Sequence, residues 1–510
     1  MNDPYHFEFD DLQALLRFGH GRLRDSCFLL LNIVDADAAG KWLDTAPVSS
    51  AKTTNPAPDK ALQIAFSVDG LRALGVRESI IAGFSDEFIV GMAGDESRSR
   101  RLGDIGDNAP QQWCWGGDAK HPPHILLLLY AVTDGIDAWR SHIETAQFSQ
   151  AFEVFRELPT LDIGSIEPFG FLDGISQPKI DWTQQQSTDL HERDRYSNWL
   201  AAGEVVLGYA NEYGEYTSRP LIEPQEDELA AKLPNAEELP SHKDFGRNGS
   251  YFVIRQLQQD VPGLWKFLDK RSDSAHERDQ LAASMVGRQR DGTPLIPPSN
   301  AEIPGISLQN PGNQFTYDSD PEGHLCPLGA HVRRANPRTG DYPPGVTGFF
   351  SRIIRLFGFG LSRPGEDLVA STRFHRLLRR GRSYGELLSV DEAIKTPASE
   401  GDHGLQFICL VANISRQFEF VQNAWAMSSK FNGVHEESDP LLGNREPLAS
   451  GIGTHKFNRP DTSGPTQTTS ELPQFVSVRG GGYFFMPGLR ALKYIASLPG
   501  SENSGKDNPS

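Results

Sequence analysis

The sequence predicts an α+β fold in which helices cover one face of a sheet. Three observations carry this. Continuous apolar runs such as CFLLLNIVD at 27–35 and ILLLLYAV at 125–132 are each followed by a segment with helical spacing of its apolar residues. The same plan recurs on both sides of an acidic, Pro-containing stretch at 222–247. The chain, at 510 residues, is also longer than one ordinary core sustains, so two fused halves are expected.

In chain order, DLQALLRFGH at 11–20 has apolar positions at Leu12, Leu15 and Leu16 and reads as a short helix. CFLLLNIVD reads as a strand and DAAGKWLDTA as the helix after it. Residues 45–61 are polar and read as a loop. LQIAFSVDGLRALGV at 62–76 reads as a strand running into a helix that Gly75 caps. HILLLLYAV is a strand and DAWRSHIETAQ a helix. Residues 159–182 are rich in turn formers, and GEVVLGYANEYGE at 203–215 reads as a strand ending in a turn. The second half repeats strand then helix at 249–270, at 405–430 and at 480–498, where Pro487-Gly488 makes the turn. No residue-level repeat relates the halves. Residues 293–314 read as loop, and the polar tail PGSENSGKDNPS as disordered.

A formal charge of −18 argues against a nucleic-acid partner, whose phosphates need a basic face, and is read as a solubility feature. Four scattered cysteines, Cys27, Cys114, Cys326 and Cys409, include no CxxC pair and point to a reducing compartment. The N-terminus MNDPYHFEFDDLQ has no basic or apolar signal region, and the longest apolar run is too short to span a bilayer. The expectation is a cytoplasmic protein with no membrane partner; oligomeric state stays open.

Chemistry concentrates in three stretches. In HLCPLGAHVRRANPR at 324–338, His331 follows small and apolar residues and precedes Arg333, Arg334 and Arg338. Such an imidazole is approachable by a bulky flat ligand whose carboxylates the arginines neutralise; heme, with an iron and two propionates, has that form. A satisfied structural histidine is the competing reading. In FGFLDGISQP, glycines flank Asp173, and the apolar neighbours Phe169, Phe171 and Leu172 would desolvate its carboxyl and raise its pKa. An Asp-Gly turn bonded to its own backbone explains the same residues. FHRLLRRGRSYGE at 374–386 places Arg376, Arg379, Arg380 and Arg382 around Leu377 and Leu378. That is a solvated basic face, or an arginine turned inward to meet an anion.

In order along the chain, these three stretches resemble the signature segments of the dye-decolorising peroxidases. LGYANEYG, MVGRQRDGTPL, LQFICLVANISRQFEFVQNAW and FVSVRGGGYFFMPGLRAL are similar too, as is the N-terminal run with WLDTA, IAFSVDGLRALGV, FSDEFIVGM and LGDIGDNAPQQW. The likeness runs from about residue 10 to about 497 and is nearest the larger bacterial subfamily. It implies two ferredoxin-like halves with mainly antiparallel sheets: 1–222 carrying the GxxDG loop, a connection at 223–248, a heme-binding half at 249–497 and a disordered tail at 498–510.

The resemblance further implies heme b as cofactor and hydrogen peroxide as oxidant, with dyes, phenols or other bulky aromatic reductants oxidised in one-electron steps. Residue by residue, His331 falls where the family has its proximal iron ligand. Asp173 falls at the distal catalytic aspartate and Arg379 at the distal arginine. Leu405 and Phe407 match residues lining the distal side. Glu419 is the candidate acceptor behind the proximal imidazole, and Arg333, Arg334 and Arg338 are candidates for the propionates. Cys326 reads as a small buried hydrophobe. Tyr384 and Trp425 read as packing residues or as surface relays for electrons. The alternative function is a non-catalytic heme carrier, which has no use for the pair Asp173 and Arg379.

Overall fold

The computed structural model describes residues 7–499 apart from 119, 184–185, 187–195, 226, 300–301, 307–310, 340–371, 398–400 and 447–452. The expected disordered tail therefore lies, from residue 500 onward, outside the described residues.

One nine-stranded sheet organises the molecule. Its strands are β1 (Asp25–Ile33), β2 (Lys60–Phe66), β3 (Ile125–Ala131), β4 (Phe152–Leu158), β5 (Ser250–Gln259), β6 (Leu378–Arg379), β7 (Arg382–Tyr384), β8 (Gly404–Val411) and β9 (Val476–Met486). The spatial order is β6-β8-β5-β9-β2-β3-β1-β4, with β7 also on β8, and every pairing is antiparallel. The four strands of the first half thus lie side by side, as do those of the second. The two groups join where β9 meets β2, through the single register pair Phe485–Phe66.

Helices cover one face: α1 (Ala36–Thr45), α2 (Ile136–Ile143), α3 (Ala146–Ala151), α4 (Val261–Lys270), α5 (Ala275–Val286) and α7 (Leu489–Ala496). Trp42, Leu43, Trp139, Trp265, Leu268 and Ile495 pack there against Leu29, Leu127, Leu129 and Val253. The other face is also buried. Phe28, Leu30, Leu126, Leu128 and Phe252 meet Leu12, Leu15, Leu16, Val205, Val206 and Tyr209. A sheet buried on both faces explains why ILLLLYA carries no polar alternation.

The doubly buried sheet also accounts for two departures from expectation. Residues 11–20 form only a single tight turn, Ala14–Leu16, and 203–215 form turns rather than a strand. Both segments are apolar because they blanket the second face, not because they are regular elements. At 203–215 close packing fixes the path: a Cβ on Gly203 would stand 2.2 Å from the Tyr209 carbonyl oxygen. The segment expected as a helix after β8 is present, but its turns at Ser415–Glu419 and Val421–Ala426 are wider, π-helical ones. Two strand regions carried no clear signal. β4 has the burial pattern of an exposed edge, and β6 has only two residues.

Phe485, fully buried at the seam between the halves, packs edge-on against Phe84 and at a tilt against Phe245. Phe485→Ala is expected to lower unfolding stability by about 3–5 kcal/mol, read as a shift in the chemical-denaturation midpoint of the ligand-free chain.

Candidate functional site

A cavity opens on the helix-covered side of the second half's sheet. Its floor is β8, β5 and β9, which present Leu405, Phe407, Leu257, Val476 and Val478. Strand alternation puts Leu405 and Phe407 on this side and sends Gln406 and Ile408 to the other. The space in and above the cavity, open solvent included, is about 1870 Å³, and its walls are mostly apolar, with Phe169, Phe171, Leu172, Val286, Leu377 and Phe418 among them. His331, Asp173 and Arg379 all line it.

His331 opens α6 (His331–Ala335), a five-residue helix. Its Nδ1 is 2.8 Å from Asp439 Oδ2. The other carboxyl oxygen, Oδ1, accepts the backbone N–H groups of Leu441 and Leu442, both at 2.9 Å. One imidazole nitrogen is thereby committed, which sets the ring's orientation and leaves Nε2 for a ligand. Burial lowers the pKa of His331, but the Asp439 carboxylate outweighs it and the net shift is upward. Burial raises Asp439, and His331 reverses that, so the carboxyl stays below its usual range.

Asp173 sits on a loop whose Gly170 and Gly174 have φ of +93° and +78°. These are left-handed conformations that favour glycine, so the GxxDG spacing is a backbone requirement. Arg379 reaches the cavity from β6, where Leu378 turns into the opposite core. This is the inward arginine of the two readings offered for 374–386. Its Nη1 donates to Asp173 Oδ1 at 3.0 Å, and its backbone N–H donates to Gln177 Oε1 at 3.1 Å. Arg379 pulls the Asp173 carboxyl below the usual carboxylate range, overcoming burial. The raised pKa expected from apolar neighbours is therefore corrected: the nearby guanidinium wins over desolvation.

Other expected roles are redistributed. Glu419 is not the acceptor behind His331; Asp439 is. Glu419 instead pairs with Arg98 Nε at 2.8 Å and accepts the Tyr483 hydroxyl at 2.9 Å. The turn at 415–426 gives Phe418, Val421 and Gln422 to the cavity and directs Glu419 away from it.

Arg333, Arg334 and Arg338 do not line the cavity either. All three are buried and occupied. Arg333 binds Asp320 and the Cys326 carbonyl. Arg334 binds the carbonyls of Gly329, Trp425, Ser428 and Glu437. Arg338 binds Asn313 and the Phe315 carbonyl. They hold together the loops around His331. Cys326 is buried and its thiol is pushed up to about 12, so it stays protonated. Tyr384 and Trp425 are interior: the Tyr384 hydroxyl donates to the Leu257 carbonyl, and Trp425 packs edge-on against His375 and Phe420.

Three cavity-lining arginines were given no role from sequence, and one of them, Arg255, is paired with Asp104; the other two are Arg288 and Arg376. Arg288 donates to the Gly292 and Gly312 carbonyls and to Asn313 Oδ1, and Arg376 to Asn198 Oδ1 at 2.8 Å. Among the described residues neither has a carboxylate partner. Burial, with Arg338 adding to it, pushes Arg288 down to about 10. Two cations short of anions, an oriented imidazole and apolar walls form a donor set that fits heme with its two propionates. Arg288 lies in MVGRQRDGTPL, a segment noted above. Asp439 lies in EESDPLLGN, where only its place beside apolar residues set it apart.

No family model matches the chain. It is 28% identical over 468 residues to a multifunctional dye peroxidase from Amycolatopsis sp., covering 88% of this chain and 85% of that one. It is 26% identical to a dye-decolorising peroxidase of Mycetinis scorodonius, covering 96% and 87%. Among solved structures, a fungal DyP-type peroxidase from Auricularia auricula-judae superposes with a TM-score of 0.70 at 25% identity, covering 97% of this chain and all of that one. A DyP-type peroxidase from Anabaena sp. gives 0.66 at 24%, covering 96% and 94%.

The His331–Asp439 pair carries a prediction with a definite sign. The raised histidine stabilises the fold fully below its unfolded pKa of about 6.5 and loses that contribution as pH rises through the raised value. The lowered aspartate stabilises above about 3.9 and loses its contribution as pH falls through its own folded value. In Asp439→Asn without ligand, the His331 midpoint is expected to move down, followed by NMR titration of the imidazole.

Proposed function

We propose that the chain is a member of the dye-decolorising peroxidase family, like the relatives it resembles over most of its length, and that the residues named below carry out its peroxide chemistry. It is a heme peroxidase that uses hydrogen peroxide to oxidise bulky organic reductants, dyes and phenols among them, in one-electron steps. A solved relative of the same fold is a complex with 2,6-dimethoxyphenol, which fits a phenolic reductant here. One observation carries the assignment of roles: Asp173 and Arg379 meet over a cavity that also holds an imidazole oriented by a buried carboxylate.

His331 Nε2 is the proposed iron ligand, and Arg288 and Arg376 the proposed partners of the propionates. The cofactor is read as heme b, since no cysteine lies among the cavity-lining residues to form a thioether link. Heme, when bound there, would supply the redox-active iron on which peroxide is reduced. Asp173, ionised because Arg379 stands beside it, accepts a proton from one peroxide oxygen and returns it to the other, which leaves as water. Arg379 offsets the negative charge that develops as the O–O bond breaks. Asp439 holds the Nδ1 proton of His331 and gives the ring partial imidazolate character. Leu405 and Phe407 keep the peroxide side narrow and apolar. A non-catalytic carrier would need neither Asp173 nor Arg379.

The division into halves at 1–222 and 249–497, joined by 223–248, is part of the same proposal. It is supported by the grouping of β1–β4 and β5–β9 on either side of the β9–β2 seam. A cytoplasmic location is proposed on the four free cysteines. Among the described residues no helix is long and apolar enough to cross a membrane.

Asp173→Asn is expected to slow the reaction with peroxide by about 10²–10⁴-fold, and Arg379→Leu by about 10²–10³-fold, both by stopped-flow absorbance of heme-loaded protein. Rates unchanged in both variants would remove the assignment. Because Arg379 holds Asp173 low, the acid limb of the peroxide rate should lie below the ordinary carboxylate range and move up in pH in Arg379→Leu. His331→Ala should lose the Soret band or hold heme far more weakly, measured by reconstitution and gel filtration.

A further inference from the structure

The loop that carries Asp173 has almost no regular structure, yet Asp173 must be held against Arg379 on a strand of the other half. One isolated bridge, Ile166–Leu172, braces it. The side chain that does most to shape it is Glu167. Its Oε2 accepts the Phe169 N–H at 3.0 Å and its Oε1 accepts the Phe171 N–H at 2.9 Å. Its backbone closes the same turn: the Glu167 N–H donates to the Phe171 carbonyl, and its carbonyl accepts the Gly170 N–H. A third donor comes from outside the loop: Gln259 Nε2 reaches Glu167 Oε2 at 2.8 Å.

Gln259 ends β5, a strand of the cavity floor, and its backbone is held by the His403 carbonyl and by pairing with Val476. The connection is therefore continuous. The sheet that presents Leu405 and Phe407 fixes Gln259. Gln259 fixes Glu167, and Glu167 fixes the turn two residues before Asp173. Both Glu167 and Gln259 line the cavity.

We propose that Glu167 is the positioning residue of Asp173, clipping the Phe169–Phe171 turn to the cavity floor so that the aspartate stands where Arg379 and a bound peroxide meet it. This rests on the reading of Asp173 as the group that moves the peroxide proton. Glu167 itself takes no part in proton transfer. Its contribution is geometric, and it bears on the peroxide half of the reaction alone. Other anchors of the loop, such as Trp265 Nε1 on the Phe169 carbonyl and Arg290 O on the Leu172 N–H, hold its backbone to the helices and to the 288–294 hairpin. Glu167 ties it to the β5 floor through a side-chain contact, while Gln177 Oε1, further along the loop, accepts the Arg379 N–H on β6.

The test compares heme-loaded parent, Glu167→Ala, Glu167→Gln and Asp173→Asn. In Glu167→Ala, deuterium exchange in the peptide spanning 165–175 should quicken about tenfold or more, and the second-order rate with peroxide should fall by about tenfold or more. The KM for guaiacol should stay within about twofold of the parent's. Glu167→Gln keeps the shape but only one acceptor oxygen for two amides, so it should fall between parent and Glu167→Ala in both exchange and peroxide rate. If Glu167→Ala does not fold, the glutamine variant decides by the same readouts. Peroxide rates near the parent's in the Glu167 variants, with Asp173→Asn slow, would overturn the proposal while leaving the aspartate's role intact. So would a loss shared equally by the peroxide rate and the guaiacol parameters. A parental rate in Asp173→Asn would remove the role of Asp173 and this proposal together.

Discussion

The ion pair of Arg379 with Asp173 spans the two halves of the chain at the cavity. The guanidinium comes from a two-residue strand at the edge of the sheet and the carboxyl from a turn-rich loop that ends the first half. Neither element would hold its side chain precisely on its own. The pair determines the state of the aspartate: burial raises its pKa, but Arg379 outweighs burial and holds the carboxyl below its usual range. Both side chains are partly open to the cavity rather than sealed in protein. Their net contribution to stability is therefore small, and their value lies in charge placement.

Across the cavity a second pair works on the opposite principle. Asp439 is fully enclosed and saturated by two backbone amides and His331, so its geometry is fixed by packing. The arginines after His331 serve that packing. Each spends its donors on carbonyls of chain that would otherwise leave buried acceptors unpaired. The loops around the imidazole are long and irregular, and buried guanidiniums supply the cross-links that a sheet or helix supplies elsewhere.

The legible part of this protein was the part that local sequence encodes. Apolar runs located β1, β2, β3, β5, β8 and β9, and the glycines around Asp173 announced a backbone that only glycine adopts readily. His331, Asp173, Arg379, Leu405 and Phe407 come together at one cavity, as their motifs suggested. What sequence did not convey was partnership at a distance. Asp439 is 108 residues from His331, and nothing in EESDP distinguishes a buried acceptor from a solvated acid. The basic run after His331 pointed to anions, but those arginines were absorbed by local carbonyls and, for Arg333, by Asp320, while among the described residues Arg288 and Arg376 have no carboxylate partner. Apolar segments 11–20 and 203–215 misled for a related reason: covering a sheet requires hydrophobicity without requiring periodicity.

The sheet ties these features together. Its first half is closed on both faces by helices and by irregular apolar chain. In the second half the helix-side layer is interrupted, and the floor of β8, β5 and β9 is left to line the cavity. Strand alternation then decides which residues can take part: Leu405, Phe407, Leu257, Arg255 and Gln259 face the cavity because they share a face in register. A loop crossing from the first half needs a fixed point on that floor if its carboxyl is to stand at a defined distance from a group on the sheet's edge. The register of β5 supplies one at Gln259, which is why the precision of an irregular loop is inherited from the most regular element in the molecule.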